Sequence, residues 1–282
     1  MLASLLIVFR EVLEAGLIVG IVLAATRGIA GRASWLAAGI GVGVLGAALL
    51  AMFAGAVSSA LAGVGQEVFT ASILVVAVLM LGWHNLWMAR HGRELAQQMG
   101  AMGRDVASGR KSLLAMAVVV GVAVLREGAE VVLFLYGIAA SSNEGQVPLL
   151  AGGALGVALG AAVAWLLYRG LLAIPVRRLF STTSWLIALL AAGMAGQAAA
   201  VLAGADIIPT WGDQLWDTSW LLPDDSMIGK ALHALIGYSD RPVGVQLVAY
   251  VAVLATLLIG AHLVNQAPRA RAVERPAPNR AF

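Results

Sequence analysis

The 282-residue chain is 61% hydrophobic, only 12% charged and free of cysteine. That balance lies far from a soluble globular domain, and the missing thiols exclude disulfides, thiolate metal sites and thiol catalysis. The formal net charge of +3 is spread over short connections rather than gathered on an aromatic-studded face, which excludes nucleic acid as a partner; no phosphate-binding loop points to a nucleotide.

The composition predicts an all-α membrane protein with the lipid bilayer as its solvent. A spanning helix needs about 20 mostly apolar residues. Seven such runs follow in chain order, at about Leu2–Thr26, Ser34–Leu61, Val68–Ala89, Leu113–Ala140, Leu149–Tyr168, Ser184–Leu202 and Val243–Val264. Met1 to Phe9 lack the basic start of a signal peptide and no small-residue cleavage site follows, so the first run reads as a retained spanning helix. Period-2 alternation of the kind a membrane barrel needs is not found.

Lys and Arg set the orientation. Arg27 and Arg32, then Arg90, Arg93, Arg104, Arg110 and Lys111, then Arg169, Arg177 and Arg178, and finally Arg269, Arg271, Arg275 and Arg280 fall in connections on one side. Glu144, Asp206, Asp213, Asp217, Asp224, Asp225 and Asp240 lie in the opposite loops, against Lys230 and Arg241 alone. The expected topology is N-terminus out and C-terminus in the cytoplasm, in a multi-pass membrane protein.

The expected organisation is one integral membrane domain over residues 1–266. Repeat A covers about 1–90, a cytoplasmic loop 91–112, repeat B about 113–203, an outer loop 204–242 and helix 7 residues 243–265; residues 267–282 read as a disordered cytoplasmic tail. The same unusual motif stands in mid-span in helices 1 and 4. Three spans separate the copies, so helices 1–3 and 4–6 form an inverted-topology repeat, an arrangement that puts substrate sites near the midplane. The outer loop holds Trp211, Trp216, Trp220 and Tyr238 among its aspartates, with a short helical pattern around Met227–Ile236. It reads as an interfacial aromatic belt or, more sharply, as an acidic docking face for an extracytoplasmic partner in which Asp206, Asp213 and Asp217 are secondary candidates.

The motif is Arg10-Glu11-Val12-Leu13-Glu14 in helix 1 and Arg126-Glu127-Gly128-Ala129-Glu130 in helix 4. Each ionisable side chain at the bilayer centre costs about 2.5–3.5 kcal/mol on insertion scales, so these residues must face one another rather than lipid. Glutamates at i and i+3 share a helical face, and the arginine reaches the later glutamate at i, i+4. Glu11, Glu14, Glu127 and Glu130 are therefore the candidate metal ligands, with Arg10 and Arg126 orienting them. Oxygen donors select hard cations; Fe³⁺ fits by hardness and charge, and Ca²⁺, Mn²⁺ and Mg²⁺ fit the ligand type as well.

At these residues the chain resembles the oxidase-dependent iron transporters, the iron permease family that includes the yeast oxidase-coupled ferric permease and the bacterial EfeU-type permeases. The resemblance extends to Thr183-Ser184-Trp185, Ala191-Ala192-Gly193 and Ile236-Gly237-Tyr238 and leaves out only the tail. It implies a transporter rather than an enzyme, with no permanently bound cofactor. Fe³⁺, or Fe²⁺, is then the transported substrate, delivered by an extracytoplasmic iron-binding or ferroxidase/peroxidase-type partner. Family members often carry Gln-Glu-x-x-Glu at the outer start of helix 3; here Gln66-Glu67-Val68-Phe69-Thr70 keeps the first acid and replaces the second. Glu67 is accordingly a weaker ligand candidate at the outer mouth, set against a cap of helix 3.

The remaining candidates carry less. His84, between Trp83 and Asn85, offers a ligand or proton relay but reads foremost as a hydrogen-bonded packing histidine, as do His233 and His262. The methionines form no spaced sulfur ladder. Another cation such as Mn²⁺ or Pb²⁺ is the alternative cargo. A carboxylate-bridged di-iron oxidase is less favoured, because neither motif has His at the third following position. Gly39, Gly41, Gly43 and Gly46 in helix 2, and Gly152, Gly153, Gly156 and Gly160 in helix 5, suit close helix contact.

Overall fold

The computed structural model describes residues 1–60, 66–141, 145–170 and 176–273. Glu144 and the tail residues from 274 onward, including Arg275 and Arg280, lie outside the described residues. Among those described the chain is helical, without strands. Its helices are α1 (Leu2–Ala25), α2 (Arg32–Ala60), α3 (Gln66–Ala107), α4 (Leu113–Ser141), α5 (Gln146–Tyr168), α6 (Val176–Gly204), α7 (Met227–Ile236) and α8 (Gly244–Val273).

Among the described residues five segments are long and apolar enough to cross a membrane: Arg32–Ala56, Glu67–Met88, Gln146–Tyr168, Ser181–Gly204 and Gly244–Leu263. α1 and α4 have comparable lengths of 24 and 29 residues, but each carries an Arg and two Glu in its middle. Apolar side chains are presented outward, as with Leu45, Leu49 and Phe53 of α2 and Val118 and Val122 of α4. A surface of this kind is stable against hydrocarbon.

Two expectations are corrected. The stretch 91–112, read as a cytoplasmic loop, is helical as far as Ala107, because Glu94-Leu95-Ala96-Gln97-Gln98-Met99 continues with strong helix formers after the apolar run stops. Met99, Met102 and Val106 then pack against the bundle, and Gly109 at φ 75° closes the turn to α4. The tail read as disordered from residue 267 begins as helix, since α8 continues to Val273. The short outer helix is α7: the Ser226 hydroxyl accepts from the Gly229 amide at 2.9 Å at its start, and Gly237 ends it in the left-handed region at φ 69°.

α1 is the central helix, packed against α5, α4 and α3; α2 packs on α4, and α6 lies between α3 and α8. Glycines set the two closest pairings. A Cβ on Gly156 of α5 would stand 2.8 Å from the Leu5 carbonyl oxygen and 2.8 Å from Val8 Cβ of α1. A Cβ on Gly43 of α2 would stand 2.7 Å from the Gly121 carbonyl oxygen and 2.8 Å from Val124 Cβ of α4. Leu5 and Val8 precede Arg10 by the same steps by which Gly121 and Val124 precede Arg126. The α2–α4 contact thus repeats the α5–α1 contact in the same register. Gly41, by contrast, faces open space.

Two apolar clusters bracket the middle of the bundle. One joins Ala3 and Ile7 of α1 with Leu74, Ala77 and Leu81 of α3, Phe134 and Ile138 of α4 and the inner face of α6. The other joins Val22 of α1, Leu36 of α2, Val106 of α3 and Met116, Val120 and Val124 of α4. α1 and α3 pass from the first cluster to the second, whereas α4 passes from the second to the first, so α4 runs antiparallel to both.

Gly156→Ala and Gly43→Ala are expected to lower stability by about 1–3 kcal/mol through overpacking, while Gly41→Ala stays within about 0.5 kcal/mol. Thermal unfolding of the three variants in one detergent measures the contrast.

Candidate metal centre

The layer between the two apolar clusters holds the ionisable side chains of α1, α3 and α4. Burial there is nearly complete: Arg10 is 1% exposed, Glu11 0%, Glu14 3%, His84 3%, Glu127 3% and Glu130 8%. On α1, Arg10 lies 3.3 Å from Glu11 Oε1, and its Nε lies 2.9 Å from Glu14 Oε1, the i, i+4 pair expected from spacing. On α4, Arg126 Nε is 3.3 Å from Glu130 Oε1, again i, i+4. The second arginine is less enclosed, with 39% of its side chain exposed and its guanidinium 4.4 Å from the centre of the Trp87 ring. Trp87 in turn stacks on His91.

The two motifs meet through α3. His84 Nε2 stands 3.5 Å from Glu14 Oε2 and 3.8 Å from Glu11 Oε2, and its Nδ1 contacts Glu130 Oε2. One ligand atom from each of Glu11, His84, Glu127 and Glu130 falls within 4.8 Å of the others, the single such group among the described residues. Buried polar atoms are left without hydrogen bonds throughout the layer: Glu11 Oε2, both Glu14 oxygens, Glu127 Oε2, Glu130 Oε2 and both His84 nitrogens. Arg10 Nε is among them despite its proximity to Glu14, since its N–H is not aligned on the oxygen. Buried polar atoms are normally paired, and carboxylate oxygens converging without donors are suited to a cation. Four carboxylates against two guanidiniums give the layer an excess of negative charge.

Sequence spacing anticipated Arg10, Glu11, Glu14, Arg126, Glu127 and Glu130, and all six are brought together. His84, which the sequence favours as a packing histidine, belongs to the same layer. Its only signal was its place near mid-span in an otherwise apolar run, the property that singled out the glutamates.

The other candidates lie elsewhere. Glu67 is exposed in the first turn of α3, seventeen residues and about 25 Å along the helix from His84. Asp206 is an exposed residue of the outer connection with φ 56°. Asp213 accepts from the Thr210 hydroxyl at 2.8 Å. Asp217 accepts from the Ser219 hydroxyl at 2.6 Å and amide at 2.9 Å, and pairs with Arg241 at 3.2 Å. Those donors, the Ser219 hydroxyl foremost, hold the Asp217 carboxyl down at about 2. Asp224 and Asp240 each accept from the other's backbone amide, at 3.0 and 3.2 Å, which clasps the segment that carries α7; partial burial raises the Asp224 carboxyl above its ordinary value. On the other flank, the Arg110 guanidinium lowers Asp105. Asp105, Asp213, Asp217, Asp224 and Asp240 are thus engaged in turns and surface ion pairs.

Comparison with known proteins gives a consistent result. The model of the iron permease FTR1 family matches residues 1–267. The chain is 31% identical over 264 residues to a protein of Yersinia pestis named "Ferrous iron permease EfeU", covering 92% of each. It is 32% identical over 248 residues to a protein of the same name from Escherichia coli O6:H1, covering 86% of this chain and 88% of that one. No solved structure matches.

The unequal enclosure of the two arginines has a measurable consequence. Arg10→Ala leaves Glu11 and Glu14 uncompensated in a closed interior and is expected to destabilise the fold by about 3–5 kcal/mol. Arg126→Ala, at a partly open position, is expected to cost less than half as much. Thermal unfolding in detergent, with iron removed by chelator, ranks the two.

Proposed function

The chain belongs to the iron permease FTR1 family, and from that premise we propose that it carries iron across the bacterial inner membrane through the layer formed by its two Arg-Glu-x-x-Glu motifs. The observation that carries the reading is the convergence of Glu11, Glu14, Glu127 and Glu130 in the protein interior, with carboxylate oxygens that no donor satisfies. A hydrated cation gives up water oxygens and gains carboxylate oxygens there, and the net negative layer offsets its desolvation.

In this reading α1 to α6 and α8 all span the bilayer, α7 lies at the outer surface, and the N-terminus is outside. The distribution of Lys and Arg supports the orientation. The paired glycine contacts in one register and the antiparallel course of α1 and α4 support an inverted repeat of helices 1–3 and 4–6. α1 and α4 escape a purely apolar description because their ionisable residues face each other and not lipid.

The ion that crosses is ferric, produced from ferrous iron by an extracytoplasmic ferroxidase, peroxidase or iron-binding partner, for which the acidic loop 204–242 offers a docking face. The four glutamate carboxylates are hard donors that support the ferric ion, and the relatives' printed name fits ferrous iron as the species supplied from outside. A second reading, direct passage of Fe²⁺, is favoured by the same printed name. Glu67 is then a collecting carboxylate at the outer end of α3.

Replacing Glu11, Glu14, Glu127 or Glu130 singly by Ala is expected to lower uptake of ⁵⁵Fe at least about tenfold with unchanged amounts of protein in the membrane. Normal uptake by all four variants contradicts the proposal. Supplying ⁵⁵Fe²⁺ under ascorbate to proteoliposomes without a partner separates the oxidation states: uptake there selects direct ferrous passage, and its absence selects passage after oxidation.

A further inference from the structure

The four glutamates leave a chemical problem, because a site made only of carboxylates binds Mn²⁺, Ca²⁺ and Mg²⁺ by the same ligand type as iron. His84 is the one nitrogen donor in the layer that is not a cation by nature. It is placed by α3, held between Leu81 of the first apolar cluster and Leu86 packed against it, and is 3% exposed. Its neighbour Asn85 donates to the Ser184 carbonyl oxygen at 3.2 Å, which ties this turn of α3 to α6 and fixes its rotation.

A histidine kept for packing satisfies its ring with a backbone carbonyl or a hydroxyl, as His233 does with the Tyr238 carbonyl oxygen at 2.7 Å. The ring nitrogens of His84 meet no backbone carbonyl and no hydroxyl; they are met by carboxylates instead. Its ion-pair contacts are with carboxylates, Glu11 and Glu14 from α1 on its Nε2 side and Glu130 from α4 on its Nδ1 side. The atoms of Glu11, His84, Glu127 and Glu130 lie within 4.8 Å of one another. Two ligands facing each other across a d-block ion stand about 4 Å apart, so one ion fits among them with small adjustments.

We infer that His84 is a direct ligand of the transported ion and the residue that gives the site its preference for iron over manganese and calcium. This rests on the layer being the ion site. Imidazole is a borderline ligand that suits iron, while carboxylate, carbonyl and water suit Mg²⁺, Ca²⁺ and Mn²⁺. One nitrogen among several oxygens raises affinity for iron without excluding it from exchange, which transport requires. α3 also meets both α1 and α4, so a ligand on it couples the two motifs through the ion.

The test uses the full-length protein in lipid nanodiscs, loaded in separate samples with Fe²⁺ alone under anaerobic conditions and with Fe³⁺ citrate alone. Iron K-edge absorption of the wild type is expected to show the multiple scattering of a coordinated imidazole. His84→Gln, which replaces the nitrogen by an amide oxygen donor, is expected to lose that signal and still bind iron. Its binding ratio of ⁵⁵Fe²⁺ to ⁵⁴Mn²⁺ is expected to fall at least about tenfold, with a parallel fall against ⁴⁵Ca²⁺. Bound iron with no imidazole signal in the wild type overturns the inference even if the variant fails to fold. An imidazole signal that survives in the variant, with metal ratios within about twofold, does the same. Iron binding that is absent, or unchanged in Glu11→Ala, overturns the ion site itself and the inference with it.

Discussion

Charge held in a low-dielectric interior must be compensated at short range, and the architecture follows from that constraint. Two arginines and four glutamates lie in the middle of helices that are otherwise apolar. Exposed to hydrocarbon, each would cost about 2.5–3.5 kcal/mol on insertion scales. Turned inward, they pair at i, i+4 within each helix and face the other helix across one layer. That requirement brings α1 and α4 together at the centre of the bundle. It also relegates α2 and α5 to the outside of the charged helices, where glycines let them approach backbone to backbone. Without a hydrophobic force between helices in lipid, close packing of small residues supplies that association.

Internal pairing is incomplete, and the proposed function rests on that incompleteness. Arginine satisfies part of each carboxylate pair, while the oxygens directed toward the shared centre stay without donors. A protein that only needed stability would replace such a layer by apolar side chains. Retained here, it gives a cation a place to shed water. The apolar clusters on either side of the layer, around Leu81 and Phe134 at one end and Val120 and Val22 at the other, close it from both directions.

Much of this was legible in the sequence because it rests on local rules. The apolar runs, the helical spacing of Arg10, Glu11 and Glu14, and the short helical pattern of Met227–Ile236 depend on neighbours a few residues away. Three features were not. The continuation of α3 to Ala107 was hidden because its polar second half lacks the apolar signature of a span, although its helix formers were present. The difference between Gly43, wedged against α4, and Gly41, open, is set by which face of α2 meets a partner 80 residues along the chain. The place of His84 depends on the rotation of α3, which a tie to α6 fixes; a lone histidine beside two tryptophans carries no spacing that would reveal it.

The central claim is that one ion sits between the two motifs. Anomalous diffraction at the iron absorption edge, from crystals of the full chain grown with iron, tests it most directly. The expected result is a peak in the interior layer within bonding distance of carboxylates from both α1 and α4. A peak confined to the aspartates of the loop between α6 and α8, with the interior layer empty, contradicts it.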